Sequence, residues 1–400
     1  MYLYKKWYKD AKRAEQYHLA VMQDETTVTL PFEISPLRYD GHFQLYYRPT
    51  NNMLTSVEKV YQQDALLTRL DQALPGIAKE NFLRRLVVDE IFDSNALENV
   101  QSTHAEIAAS AKAHREKVAG KRRLSSMVNS YYGLSERVLH VPMNANDVRK
   151  IYNYITDGEI AVEDLPDGEV FRAGPVSVLS GVAGKSIHEG LMPESQIIDA
   201  IENLTQFMQE SPLPAMIKIA VGHYYFGYIH PFYDGNGRTG RFMSSLYLSK
   251  ICSEYTAYSL SQGCRLQQKK YGDIFKRTND FRSFGEINCF IDGFLEIIID
   301  GQAQIIEDLQ ERQALLEQAY RRIQDDPQLC KDETSLDLMF VFEQGHLFDD
   351  FDEGFTLEAL QKYLETVSKA QLRRSLDALE AIGYIRRVKA RPITYISAWE

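Results

Sequence analysis

The chain has 400 residues, 44% hydrophobic and 25% charged, the balance of a soluble globular protein and more than one hydrophobic core usually organises. Its formal charge of −11 argues against nucleic-acid binding over the whole surface and leaves room only for a local basic patch. Four cysteines without a CxxC pair argue against a zinc site or a disulfide framework, and no apolar run suits a signal peptide or membrane span, so a cytoplasmic protein without a membrane partner is expected.

Residues 1–55 mix aromatics with turn formers and give no clean period, so an irregular or partly stranded region is expected. From 57 to about 113 apolar residues recur three and four apart in VEKVYQQDALLTRLDQAL, KENFLRRLVVDEIFDSNALENV and THAEIAASAKAHREKV, which predicts three helices, Pro75 and Gly76 separating the first two. A further helix is expected at 144–154. The stretch LPDGEVFRAGPVSVLSGVAGKSIHEGLMP, with short alternating runs among Gly, Pro and Ser, reads as a β-hairpin between helices. Its GVAGKS resembles a phosphate loop, but Leu179 stands where that motif needs glycine, so it is read as the hairpin tip. Helices resume at 194–209, 214–229 and 240–252, and a long one is expected from about 290 to 323.

Between 332 and 353 lie eight acidic residues and no Lys or Arg, whereas 356–400 carries eight Lys or Arg against five acids. That shift marks a boundary near 330. Beyond it the pattern reads helix, helix, short hairpin, the order of a winged helix-turn-helix. In it Lys369, Arg373 and Arg374 would lie on a recognition helix and Arg386, Arg387, Lys389 and Arg391 on the wing, so DNA is a candidate partner through 356–400, a winged helix used for packing or protein contact being the alternative.

The chemistry concentrates in HPFYDGNGRTGR, 230–241. Pro231 ends the preceding helix, so His230 lies in a loop, where it can titrate near neutral pH and take a proton from a hydroxyl. Gly235, Asn236 and Gly237 open the next helix and bring bare N–H groups to an anion. Arg238 and Arg241 are three apart and converge on one polyanion, and Asp234 beside a phosphate is a natural Mg²⁺ ligand. Any one of these residues alone is more simply a polar turn residue; the string together describes phosphate-ester transfer from a nucleotide to a hydroxyl.

This string resembles the Fic family signature HPFx(D/E)GNGRxxR, and the resemblance extends over about 57–300. It implies ATP and Mg²⁺ as cosubstrate and cofactor, and transfer of AMP to a Ser, Thr or Tyr hydroxyl of a target protein or of the chain itself. His230 is then the base, Phe232 the anchor of the loop and Asp234 the metal ligand. Gly235, Asn236 and Gly237 form the anion hole, and Arg238 and Arg241 the phosphate clamps. A flap after Arg172, over about 176–188 with Val176, Val178 and Ile187, would dock the target as an added strand. Tyr271 falls where the family places an aromatic near the adenine. Relatives with altered motifs move other phosphate-bearing groups, and a DNA-binding regulator with a nucleotide-sensing Fic-like domain is the non-enzymatic alternative.

Upstream, SNALEN at 94–99 fits [ST]xxxE[GN] through Ser94, Glu98 and Asn99, which on composition alone is ordinary exposed helix. Ahead of the signature it resembles the family's inhibitory helix, with Glu98 pairing with Arg241 in place of the γ-phosphate. The fold expected is mainly α: a Fic helical fold with a β-hairpin flap plus a C-terminal winged helix-turn-helix domain. The expected divisions are 1–55, 56–130 with the inhibitory helix, 131–328 for the catalytic core and 329–400. A homodimer is the remaining partner considered. His188, His223 and the tyrosine-rich run 224–228 are assigned to packing.

Overall fold

The computed structural model describes residues 2–117, 122–136, 138–180, 185–351 and 354–399. The chain forms two compact units, Met1–Leu67 with Val87–Ala303 and Thr68–Leu86 with Gln304–Glu400. The boundary expected near 330 therefore lies inside the second unit, and the stretch 56–130 is divided between the two.

The N-terminal 55 residues hold more regular structure than their aperiodic sequence predicts. Helices α1 (Leu3–Trp7) and α2 (Ala11–Met22) precede an antiparallel pair, β1 (Val28–Ile34) and β2 (Phe43–Tyr47). The helices escape a periodicity argument because each buries only two side chains, Leu3 with Tyr4 and Ala14 with Val21. Along β1 alternation is clean, and Leu30, Phe32 and Ile34 face inward.

Helices α3 (Asn51–Gln72), α4 (Gly76–Leu97) and α5 (His104–Arg115) follow at the expected positions, α5 opened by a reciprocal Thr103–Glu106 capping box. Helix α6 (Ser125–Ser135) was not expected. Leu124 starts it at φ +63° with no side-chain cap, so neither a cap nor a charged face marks it in sequence, although Met127, Val128, Tyr131 and Leu134 are buried.

The site is built by what comes next: α7 (Ala145–Thr156), the antiparallel hairpin β3 (Ser177–Ser180) and β4 (Lys185–Glu189), α8 (Glu194–Glu210), α9 (Ala215–Ile229) and α10 (Asn236–Ile251). Residues 181–184, where the hairpin tip was read, lie outside the described residues. Helix α9 packs against α8 and α10 and is buried on all sides, which is why its sequence is apolar and aromatic without a polar stripe. Then α11 (Glu254–Ala257), α12 (Leu260–Leu266), α13 (Gln268–Thr278) and α14 (Asn288–Asp325) follow.

The second unit contains α15 (Glu333–Phe348), β5 (Phe355–Thr356), α16 (Leu357–Tyr363), α17 (Lys369–Ala381), β6 (Ile385–Ala390) and β7 (Ile393–Ser397). Its antiparallel sheet has the order β5-β7-β6. Asp332, Thr356 and Ser368 cap α15, α16 and α17 by accepting backbone N–H bonds, and Leu338, Phe342, Leu360, Leu372, Leu376 and Ile385 form its core. No described helix is long and apolar enough to cross a membrane.

Candidate active site at the N-terminus of helix α10

The loop between α9 and α10 is fixed by its own residues. Helix α9 stops at His230, whose φ of +51° turns the chain, and Pro231 cannot extend it. Phe232 drops into the core, stacked on Tyr152 with centroids 3.7 Å apart and edge-on to Phe171 at 5.5 Å. Asn236 clips the turn from both sides: its Oδ1 accepts from Phe232 N–H at 3.0 Å and its Nδ2 donates to Phe232 O at 2.8 Å. The Asn236 side chain therefore shapes the loop and leaves anion contact to backbone. Gly235, at φ +82°, sits against Thr156 and Tyr152, where a Cβ would clash.

Helix α10 begins there and presents free N–H groups and the positive end of its dipole. Two arginines stand behind that end, both fully buried. Arg238 Nη2 lies 3.3 Å from Asp234 Oδ2, while its Nε and Nη1 are buried and meet no hydrogen-bond acceptor among the described residues. A buried guanidinium with unused donors is suited to a phosphate oxygen. Asp234 is partly exposed and also accepts from Gly235 N–H at 2.5 Å. One such carboxylate beside a phosphate is what Mg²⁺ asks of a protein, the other ligands being phosphate oxygens and water.

Arg241 is already engaged. Its Nη1 donates to Glu98 Oε1 at 2.8 Å, its Nε to Ser94 Oγ at 3.1 Å and its Nη2 to Ser94 O at 2.7 Å. Burial works against its charge, but the Glu98 carboxylate together with Tyr271 and Cys264 outweighs burial and holds its pKa above the ordinary value. The Glu98 carboxylate also overhangs Gly237, so any side chain there would run into it. Thus Glu98 occupies the anion position at the start of α10. Asn99 has no such contact; at φ +59° it takes the chain out of α4.

A cavity opens beside these groups, lined among others by Glu98, His230, Asn236, Gly237, Tyr271 and Asn279. His230 Nδ1 lies 3.3 Å from Gly227 O, so Nδ1 carries the proton and Nε2 is left as the acceptor. Burial, then the neighbouring His188, and with them Arg172 lower its pKa to about 4. At that value the ring is neutral at physiological pH and Nε2 is free to accept a proton.

Tyr271 does line the cavity, and the reason it stands there had no signal in sequence. Its hydroxyl donates to His223 Nε2 at 2.8 Å; His223 Nδ1 donates to Ser244 Oγ at 2.8 Å; Ser244 in turn donates to Gly240 O at 2.9 Å. Burial lowers the His223 pKa to about 3, so this chain is neutral, and His223 supports a site residue besides packing. Of the predicted flap residues Val178 and Ile187 line the cavity, while Val176 closes the hairpin root by accepting from Gly190 N–H. Sequence reasoning missed Phe275 and Lys276 of α13 and Asn279 just after it on the wall, where no motif marks them.

Residues 142–248 match the Fic/DOC family model. A Fic family protein from Desulfovibrio desulfuricans G20 is similar over 88% of this chain and 98% of its own, at 17% identity and a TM-score of 0.52, which is likeness of fold. A Fic domain containing signaling protein from Bacteroides thetaiotaomicron VPI-5482 matches at 16% identity and TM-score 0.41, over 65% of this chain and 97% of its own. Fic-1 (residues 134–508) from C. elegans matches at 13% and 0.42, over 64% and 74%. Residues 142–248, which hold the loop and both arginines, are thus similar to the Fic/DOC family.

Proposed function

We propose that the first unit is a protein adenylyltransferase that Glu98 holds inactive. It transfers AMP from ATP to a Ser, Thr or Tyr hydroxyl of a target protein or of the chain itself. The target oxygen attacks the α-phosphorus, its proton passes to His230 Nε2, and the bond to the bridging oxygen breaks to release pyrophosphate. Bound at Asp234, Mg²⁺ would offset charge on the phosphates. The β- and γ-phosphates belong with the α10 N-terminus, Arg238 and Arg241.

The observation that carries this reading is the Glu98 carboxylate seated on Arg241 and over Gly237. With that position filled, a nucleotide is displaced from in-line geometry, a loss of about 10²-fold or more in rate. Wild type, Glu98→Gly and Glu98→Gly/His230→Ala are incubated with labelled ATP and Mg²⁺. Glu98→Gly should label protein about 10²-fold faster than wild type, and loss of the base should lower that rate by about 10²–10⁴. Equal labelling of wild type and Glu98→Gly would refute inhibition, and undiminished labelling by the double variant would refute the assignment of His230. The mass of the adduct distinguishes AMP from another transferred group.

We read the second unit as a winged helix that contacts DNA. What supports this is the succession α16, α17, β6, β7 with Lys369, Arg373, Arg374, Arg386, Lys389 and Arg391 exposed on it. Arg387 is less available, being paired with Glu380 at 2.7 Å and Asp377 at 3.4 Å. Full-length protein should bind duplex at 50 mM salt and lose it by 200 mM, and Arg373→Glu/Arg374→Glu should abolish binding. Retention unaffected by salt or by charge reversal would reject this reading.

A further inference from the structure

Helix α9 ends with its carbonyls fully used, two by His230 itself and two by His188 of the flap and Leu191 just after it. The last four carbonyls of a helix have no partner within it. Here Phe226 O accepts from His230 N–H at 3.0 Å and Gly227 O from the His230 ring. Tyr228 O accepts from His188 Nε2, on β4, at 2.6 Å, and Ile229 O from Leu191 N–H at 3.0 Å. The next two carbonyls continue the pattern, His230 O accepting from Arg172 Nε at 2.9 Å and Pro231 O from Arg172 N–H at 3.2 Å.

Arg172 also reaches the other side of the flap root, with Nη1 on Gly174 O at 2.6 Å and Nη2 on Leu191 O at 2.8 Å. It is a fully buried cation whose three nitrogens all donate to main-chain carbonyls. Gly190 must lack a side chain because a Cβ there would meet Arg172 Nη2 and His230 Cβ. One side chain thus joins the entry strand of the flap, its exit and the carbonyl of His230. A lysine has no planar fork with which to hold three such acceptors.

Resting on the adenylyl-transfer reading, we infer that Arg172 and His188 are positioning residues that fix the height of the flap over His230. They decide whether AMP passes to a protein hydroxyl docked on the flap or to water. Water needs no flap, whereas a docked hydroxyl must lie within hydrogen-bond reach of His230 Nε2. Loosening the root therefore damages transfer to protein more than it damages hydrolysis to AMP and pyrophosphate, and it leaves nucleotide binding at the α10 N-terminus in place.

The test uses full-length Glu98→Gly with labelled ATP and Mg²⁺, following AMP on the protein and free AMP together. Adding Arg172→Lys should shift the ratio of protein-bound to free AMP toward water by about tenfold, with the KM for ATP changed less than about threefold. Where Arg172→Lys melts early, His188→Leu should give the same shift, and His188→Gln, which keeps a donor for Tyr228 O, should restore the ratio. Bound and free AMP falling in parallel, an unchanged ratio in folded variants, or free AMP alone from Glu98→Gly would overturn the inference. If Glu98→Gly consumes no ATP, it is the adenylyl-transfer reading that fails.

Discussion

Arg241 is a buried cation that donates through three nitrogens at once, and two of its three acceptors belong to Ser94. Ser94→Ala removes the hydroxyl and keeps the carbonyl bond, so the Glu98 clamp is weakened and not lost. A hydrogen bond to a charged group contributes about 1.5–3 kcal/mol, part of which the freed Nε recovers elsewhere. Initial rates of labelling should therefore rise several-fold above wild type and stay below Glu98→Gly; no activation would show that Ser94 only packs. The spacing of Ser94 and Glu98 was legible in sequence because residues four apart share a helix face. Their meeting with Arg241, 147 and 143 positions away, was legible only through the family resemblance, and nothing in the sequence separates the contact of Glu98 from the backbone role of Asn99.

His230 offers a second test at this scale. In the unfolded chain a histidine protonates near 6.5, whereas in the fold His230 waits until about 4. Its lowered pKa means that it costs stability progressively as pH falls from about 6.5 toward 4, and nothing above that range. In free enzyme with carbon-13 labelled histidine, the ring signal lost in His230→Ala should not shift between pH 8 and 5.5. Titration of that signal near 6.5 would place His230 in water and remove the argument for its neutral state.

At the scale of elements, the flap and its neighbours hang on Glu194, the first residue of α8. Its carboxylate accepts from three successive backbone N–H groups, Glu169 at 3.0 Å, Val170 at 2.8 Å and Phe171 at 2.8 Å, and so sets the turn from which Arg172 departs. Burial alone would raise its pKa, but these three donors outweigh burial and hold it below the ordinary carboxylate value. The stability it contributes is therefore complete above the unfolded carboxyl pKa of about 4.3 and is lost as pH falls through the lower folded value. Melting temperatures of wild type and Glu194→Gln should differ most above pH 5 and converge at lower pH. A constant gap across that range would assign the effect to packing. This staple had no sequence signal, since a glutamate opening a helix reads as an ordinary favourable charge. The hairpin was legible by contrast because alternation and glycine mark it locally, while α6, lacking a cap and a polar stripe, was not.

At the scale of the molecule, the chain comprises two units with separate cores, one around Phe32, Tyr152, Phe226 and Phe232 and the other around Leu338, Phe342, Leu372 and Leu376. The composition shift near 330 does not coincide with the division at 303, and it could not show that 68–86 joins the later residues, because a helix pattern does not say what its apolar face covers. Two cores admit two thermal transitions, so one melting temperature need not describe the chain. A ligand that binds only one unit stabilises that unit by RT ln(1 + [L]/Kd), about 2.7 kcal/mol at a hundredfold excess over Kd. ATP with Mg²⁺ should raise one transition only, and by more in Glu98→Gly than in wild type, because there no carboxylate competes for Arg241. Arg241→Ala in the Glu98→Gly chain should shrink that rise, since the γ-phosphate loses its clamp. Calorimetric scans at fixed protein concentration with and without ATP and Mg²⁺ measure both effects. An equal rise in wild type and Glu98→Gly would mean that Glu98 does not compete with nucleotide at Arg241, leaving displacement of the α-phosphate as its route to inhibition.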